Sequence, residues 1–268
     1  MPHSPEQPTA SIVPVQRARH AQRHWQRPPD YRLAARHALA PLASFEVVQA
    51  AVCLPLAFVE QAGQCVLAAV LGVPGTNLCV APGGQWSGPY VPAVLRVAPF
   101  SLGQAEGGDL HLCIDEVAGQ VAEGPGGEPF FTAEGQPAPL VQEVMRFLLR
   151  MDQGHKAMRQ ACNALRQQGV LVPWPVSFDS AAGARPADGL LRVDEKALAA
   201  LAPDALHALM QCGALRLAYS QLVSMPLLSR LSEWSKAHAA ARATAPADLE
   251  AVRKMFEPGQ PDTIQFNW

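Results

Sequence analysis

Short apolar runs separated by turn residues fill the chain from about residue 45 to residue 131. The runs AVCLPLAFV, CVLAAVLGV, YVPAVLRV and DLHLCID are bounded by stretches such as QAGQ, PGTN and EGPGGE, in which Gly, Pro, Asn and Gln cluster. Runs of this length between turn residues predict antiparallel strands and hairpins. We therefore expect residues 45–131 to be rich in β-structure.

From about residue 138 onward, the apolar residues recur at helical spacing. The stretch APLVQEVMRFLLRMDQGHKAMRQACNALRQQG shows an apolar residue every three or four positions. Asp194 has the side chain of a helix N-cap, and Pro203 suits the first turn of a later helix. This spacing predicts a helix-rich region over residues 138–257, and the alternation of Ile264 and Phe266 predicts a closing strand over residues 262–268.

The order of these regions, β-rich first and helix-rich second, lacks the strict strand and helix alternation of a parallel sheet. It therefore predicts the α+β class. We expect one compact domain over residues 17–268, preceded by an arm, residues 1–16, that is flexible because it holds several prolines and few large side chains.

The stretch Gly88–Phe100 is too apolar for a loop and has three prolines, which cannot donate to a sheet ladder. An edge or rim strand tolerates such prolines when their nitrogens face away from its neighbour. We therefore expect an edge strand here, with Trp86 and Tyr90 packed on one side and Arg96 as its lone charge.

The chain of 268 residues is 49% hydrophobic and 16% charged, which suits a folded domain and excludes a disordered one. Its formal net charge of −2 argues against a nucleic-acid partner. The exception is Gln16–His37, where arginines interleave with Trp25 and Tyr31 as they do in single-strand binders. We interpret this segment as a basic stretch laid across an acidic domain, and we expect no nucleic acid as a partner.

No apolar run reaches the ~18 residues that span a bilayer, so we expect no membrane insertion. The first residues lack the apolar core of a secretory signal. The six cysteines are widely spread and form no CxxC pair, which favours buried free thiols and a cytoplasmic location over disulfides or a zinc site. No Walker, HExxH, GxSxG or EF-hand motif is present, so the sequence identifies no metal site and no cofactor.

The stretch DLHLCIDE is the best candidate for chemistry. In a strand, His111, Cys113 and Asp115 project to one face, where they could form a thiolate with its base or a set of metal ligands. The alternative is a buried free cysteine beside two carboxylates, Asp115 and Glu116, that are solvated or paired with cations. The residues alone leave both interpretations open.

Arg96 is the second candidate, because an arginine between Leu95 and Val97 could bind a carboxylate or phosphate through its planar fork. A buried arginine needs a counter-charge. The loop SLGQAEGG suits a hairpin that would bring Arg96 level with Asp115. We therefore predict that Arg96 pairs with Asp115 or Glu116.

Several of these stretches, in this order, resemble a known family. NLCVAPGGQWSGPYVPAVLRVAPFSL, LCIDE, PFFTAEGQPAPLVQEVMRFL and LLRVDEKALAALAPDALHALMQCGALRLAYSQLVS are similar to the SapC family of bacterial proteins. The resemblance covers roughly residues 13 to 235. It implies no reaction and no catalytic residues, and the family label implies an association with surface layers.

Three functions remain open from the sequence. The first is a non-catalytic binding or accessory protein for a peptide or small ligand. The second is an enzyme centred on the LCIDE strand, with or without the assistance of a metal ion. The third is the surface-layer role that the resemblance implies. The candidate ligand-binding residues are Trp86, Tyr90, Arg96, His111, Cys113, Asp115 and Glu116.

Overall fold

A computed structural model describes residues 11–244, apart from residues 62, 106, 125, 181, 182 and 188. Side chains are described within that range except those of residues 177–188 and 237–244. The predicted closing strand, residues 262–268, lies outside the described residues, and so does the last predicted helical stretch up to residue 257.

The class is α+β, as predicted, with antiparallel sheets in the first half and helices in the second. The strands are β1 Ile12–Pro14, β2 Arg23–Trp25, β3 Leu39–Pro41, β4 Leu56–Gln61, β5 Gln64–Val70, β6 Gly72–Val73, β7 Thr76–Asn77, β8 Phe100–Gln104, β9 Leu110–Asp115, β10 Ala122–Glu123, β11 Glu128–Pro129, β12 Leu171–Pro173, β13 Val176–Ser180, β14 Gly183–Ala187 and β15 Leu190–Val193. The helices are α1 Arg17–His20, α2 Val47–Ala51, α3 Ala93–Arg96, α4 Pro139–Gln167, α5 Glu195–Ala199, α6 Pro203–Gln211, α7 Ala214–Ser224 and α8 Leu228–Thr244. Two 3₁₀ turns add Arg32–Ala34 and Met225–Leu227.

The largest sheet draws its strands from both halves of the chain. Its order is β12-β15-β4-β5-β3, and every neighbouring pair is antiparallel. The hairpin β4–β5 sets its centre, with Phe58 opposite Leu67. Because β15 pairs with β4, the helix-rich half contributes an inner strand to the first half's sheet.

The long helix α4 joins two hydrophobic clusters. Near its start, Val141 and Leu148 pack into a cluster that contains Trp25, Phe100, Ile114 and Phe130. Near its end, Met158, Cys162 and Leu165 pack into the larger cluster around β4 and β5. The 29 residues of α4 span about 43 Å, so one rigid element couples the small sheet of β1, β9 and β8 to the large one.

Turn and cap residues in the second half lie where the sequence predicts them. The Asp194 carboxylate accepts hydrogen bonds from the backbone N–H groups of Lys196 and Ala197, so it caps α5. Pro203 begins α6, and Gly213 follows that helix with a φ of 77°.

The structure corrects the prediction for Gly88–Phe100. This stretch contains the short helix α3, and extended structure begins only at Phe100. The N–H of Ala93 finds its acceptor in a side chain, the Glu46 carboxylate, instead of a neighbouring strand. The prolines therefore belong to a turn that frames a helix.

The six cysteines form no disulfide with one another; four of them are buried, Cys53 is partly buried and Cys212 is exposed. Among the helices of the described chain, none combines the length and the apolar character that crossing a membrane requires.

The end of the predicted arm contains a short strand. Residues Ile12–Pro14 form β1, which pairs with β9 so that Val13 lies opposite Ile114. Val13 and Val15 pack against the cluster of Trp25, and the Val15 N–H donates to the Leu112 carbonyl at 2.8 Å. Three residues ending in proline are too short a strand to stand out in the sequence.

Removing residues 1–15 should therefore destabilise the protein, by roughly 1 to 3 kcal/mol for the two partly buried valines. Removing only residues 1–10, which have few large apolar side chains, should leave the stability unchanged. Thermal unfolding of the two truncated proteins checks this expectation. Equal melting temperatures would show that β1 adds nothing to stability.

Candidate functional site

A groove of three neighbouring hollows runs along the surface beside α3. The hollows share Arg27, and their volumes are about 470, 300 and 350 Å³. The first is lined chiefly by Arg27, Pro29, Tyr31, Leu33, Leu95 and Arg96. The second is lined chiefly by Trp25, Arg27, Arg96, Phe100, Val144 and Phe147, and the third by Trp25, Gln26, Arg27, Gly127, Glu128 and Leu140. Arg96 therefore lines both the first and the second hollow.

A buried carboxylate fixes the turn that leads to Arg96. Glu46 is only 3% exposed, and its Oε2 accepts from the Tyr90 hydroxyl and the Ala93 N–H, both at 2.8 Å. Its Oε1 accepts from the Ala43 N–H at 2.9 Å. Burial, together with the Glu46 carboxylate, raises the pKa of Tyr90 well above its usual range, so the phenol stays protonated as the donor. Tyr90 and the first residue of α3 therefore donate to the same Glu46 oxygen.

Arg96 lies at the exposed end of this arrangement. Its guanidinium carbon is 5.7 Å from the centre of the Tyr90 ring and 5.8 Å from that of Phe147, and its Nη2 donates to the Tyr90 hydroxyl at 3.4 Å. The ring faces hold the cation in place through cation–π attraction. Toward the described residues the Arg96 guanidinium donates this one hydrogen bond, so other N–H groups of its fork are left for a ligand.

The predicted pairing of Arg96 with Asp115 or Glu116 is wrong. The hairpin does form, but its first strand is β8, which starts after Arg96 and pairs Phe100 with Ile114. Helix α3 leaves Arg96 exposed, so the arginine needs no buried counter-charge.

An aromatic pair supports the other wall of the first hollow. The rings of Tyr31 and Trp86 lie 5.3 Å apart, and the Tyr31 N–H donates to the Gly84 carbonyl at 2.8 Å. Gly84 has a φ of +92°, and a Cβ there would lie 2.7 Å from the Asp30 carboxyl carbon. Only glycine permits this close approach, so the turn APGGQW lets residues 30–32 pack directly on its backbone.

The charge in the first hollow is positive. Its one carboxylate, Asp30, accepts from the Arg32 N–H at 3.0 Å and lies 3.3 Å from the Arg32 guanidinium. Neither Arg27 nor Arg96 forms an ion pair with any residue that the structure describes. Two exposed arginines therefore face one hollow without a counter-charge.

Glu116 has a structural role at the far end of β9. Its carboxylate accepts two hydrogen bonds from Arg19, from Nε at 2.8 Å and from Nη2. It accepts a third from Arg23 Nη1 at 3.0 Å. The Arg19 hydrogen bond is the main cause that lowers the Glu116 pKa. The basic segment thus does lie across an acidic site, as the sequence interpretation proposed.

The same carboxylate lies beside a buried histidine. His20 has no exposed surface, and its Nδ1 lies 3.1 Å from the Gln16 backbone nitrogen and 3.2 Å from the Gln16 carbonyl oxygen. Its Nε2 is 3.3 Å from Glu116 Oε1 without the geometry of a hydrogen bond. Burial is the largest cause of the lowered pKa of His20.

His111 and Cys113 lie on one face of the hairpin, as predicted. A Cβ on Gly103, in the facing strand, would lie 2.5 Å from His111 Nε2 and 2.7 Å from Cys113 Sγ. Burial raises the pKa of the Cys113 thiol, which opposes a thiolate nucleophile. Asp115 is used elsewhere, since its Oδ1 accepts from the backbone N–H groups of Val117 and Ala118. Within the described part of the chain, no three His, Cys, Asp or Glu side chains are grouped to hold a metal ion.

Of the predicted site residues, Arg96 alone lines these three hollows; Tyr90 contacts Arg96, and Trp86 packs against Tyr31. His111, Cys113, Asp115 and Glu116 line none of the three hollows. Sequence reasoning missed Arg27, Tyr31 and Glu46. The first two lie in Gln16–His37, where basic and aromatic residues interleave. No local pattern marks Glu46 as an acceptor for residues 90 and 93.

Comparison with known proteins gives one family. The family model of SapC matches residues 15–231, a stretch that includes the whole groove. No curated protein and no solved structure matches the chain.

Acid should loosen the attachment of the N-terminal segment. The folded-state pKa of His20 lies below its unfolded value of about 6.5, so the unfolded chain binds the proton more readily and stability falls as the pH drops below about 6.5. Glu116, whose folded pKa is also lowered, adds to this loss only nearer pH 4 to 5.

Thermal unfolding between about pH 7.5 and about pH 5.5 measures the combined effect of His20 and of His155, whose pKa burial also lowers. His20→Gln should flatten the decline, whereas His207→Gln, at an exposed histidine of α6, should leave it as it is. An equally steep decline in His20→Gln would contradict the assignment to His20.

Proposed function

This chain belongs to the SapC family, and we propose that it is a non-catalytic binding or accessory protein whose groove takes a peptide or small ligand. The family name carries no reaction, so the proposal rests on the groove.

The observation that supports it is the state of Arg96. The arginine is exposed and free of any carboxylate within the described residues, yet it is held between the rings of Tyr90 and Phe147. Tyr90 is itself held by the buried Glu46 carboxylate. A surface cation positioned by two layers of contacts, with donors unused, is arranged to bind an acceptor from outside.

The surroundings of Arg96 also suit a ligand site. Binding pockets combine apolar walls with a few placed polar groups. Here Leu33, Val94 and Leu95 supply apolar surface in the first hollow, and Arg27 and Tyr31 supply polar groups beside it. The volume of about 470 Å³ falls within the range of small-molecule sites.

We place this function in the bacterial cytoplasm, since free thiols persist in reducing compartments. The six free cysteines support this placement. Thiol titration of the protein isolated from its own cells, denatured without reductant, should count six. A count of four or fewer would contradict a reducing compartment.

The proposal does not extend to catalysis or to a surface layer. The thiol of Cys113 has a raised pKa, and Asp115 is engaged in a turn, so neither supports a reacting centre on the LCIDE strand.

Ligand screening tests the proposal. A library of small carboxylic and phosphorylated compounds and short peptides should give hits that shift backbone amide signals of residues 27–37 and 90–98. Arg96→Lys should keep the melting temperature but weaken these hits about tenfold or more, because lysine lacks the planar fork.

Arg216→Ala removes an exposed arginine of α7 that lines none of the three hollows, so it should bind as the unaltered protein does. Hits whose affinity is unchanged in Arg96→Lys and Arg96→Ala would refute the site, and a complete absence of groove binding would refute the proposed function.

A further inference from the structure

We propose that the ligand of the groove is an extended peptide segment that places an acidic side chain between Arg27 and Arg96, with apolar side chains on both sides. This inference rests on the proposed function and names the class of its ligand.

The three hollows adjoin one another. They share Arg27, and the first two also share Arg96 and Ala98, so a ligand that entered all of them would run past both arginines. An extended peptide has this form, since its side chains alternate and those on one side repeat every ~7 Å. Extended peptides use such series of pockets for specificity.

The charge distribution places the acidic side chain. The first hollow has Arg27, Arg96 and His37, and its single carboxylate is occupied by Arg32. The second hollow has Glu143 and the third has Glu128, which disfavour an anion there. A carboxylate is therefore most stable beside the two arginines, at the border of the first and second hollows.

The apolar surface lies on both sides of this position. Leu33, which is 55% exposed, lines the first hollow together with Val94 and Leu95. Phe100, Leu140, Val144 and Phe147 line the second hollow. A peptide with apolar residues before and after its acidic residue would cover both surfaces and remove them from water.

Trp25 distinguishes a ligand that extends beyond the first hollow from one that does not. Trp25 is 1% exposed and lines the second and third hollows, and its Nε1–H has no acceptor among the described residues. A ligand in the second or third hollow therefore contacts Trp25, which a compound confined to the first hollow would not do.

Three peptide pools test the inference with the full chain. The pools are acetylated, amidated hexapeptides with randomised positions, and they differ only in a fixed third residue, which is Glu, Gln or Lys. Binding is measured by titration, and its place is read from the indole signal of Trp25 and the amide signals of residues 27–37. We expect the Glu pool to bind at least about tenfold more tightly than the Gln pool, and its affinity to fall as salt is added.

The arginines are tested by substitution. Arg27→Ala and Arg96→Ala should each remove most of the preference for Glu over Gln, while Arg216→Ala should keep it. Both arginines are exposed and unpaired with carboxylates of the described chain, so these variants should retain the melting temperature.

Different failures have different meanings. If the Gln or Lys pool binds the groove as tightly as the Glu pool, the acidic class is wrong and the proposed binding function stands. If no pool binds there while a small compound does, the peptide is wrong and the function again stands. If neither kind of ligand binds the groove, both are wrong.

Discussion

The hydrogen bonds to the Glu46 carboxylate hold together the part of the molecule on which the groove depends. Ala43, in the same loop, and Tyr90 and Ala93, in the turn before Arg96, all donate to its two oxygens inside the core. A buried carboxylate without such donors costs several kcal/mol, so the loop and the turn stabilise each other where they meet. The result is a short helix whose last residue, Arg96, is displayed at a defined place on the surface.

The groove has two sides that are remote in sequence. Helix α3 forms one side, and the basic segment with Arg27 and Tyr31 forms the other. That segment is held by the ion pairs at Glu116 and by the close packing of Asp30 and Arg32 on Gly84. The cations at Glu116 serve attachment, whereas Arg27, only a few residues further, remains unpaired with any described carboxylate. One basic stretch therefore combines a structural role with the proposed recognition role.

The long helix α4 transmits this arrangement to the rest of the fold. Gly154 of α4 lies against Ala43 and Ser44, where a Cβ would be 3.1 Å from the Ala43 Cβ, so the helix packs closely on the loop that carries Glu46. The same helix supplies Phe147 and Val144 to the groove and Met158 and Leu165 to the large core. One helix therefore packs against both the groove and the core around β4 and β5.

The sequence by itself determined the α+β class, the hairpins around LCIDE, the capped helices after Asp194 and the aromatic and basic character of the site, because these follow from spacing, turn residues and composition. It named Trp86, Tyr90 and Arg96. Only the tertiary structure decided that Gly88–Phe100 contains a helix, that Arg96 stacks on rings while Glu116 binds Arg19 and Arg23, and that Arg27 completes the groove. Each of those outcomes depends on which residues the fold brings into contact. Two of the groups that donate to Glu46, for example, lie 44 and 47 residues away along the chain. No local pattern records that choice, because it is made by packing.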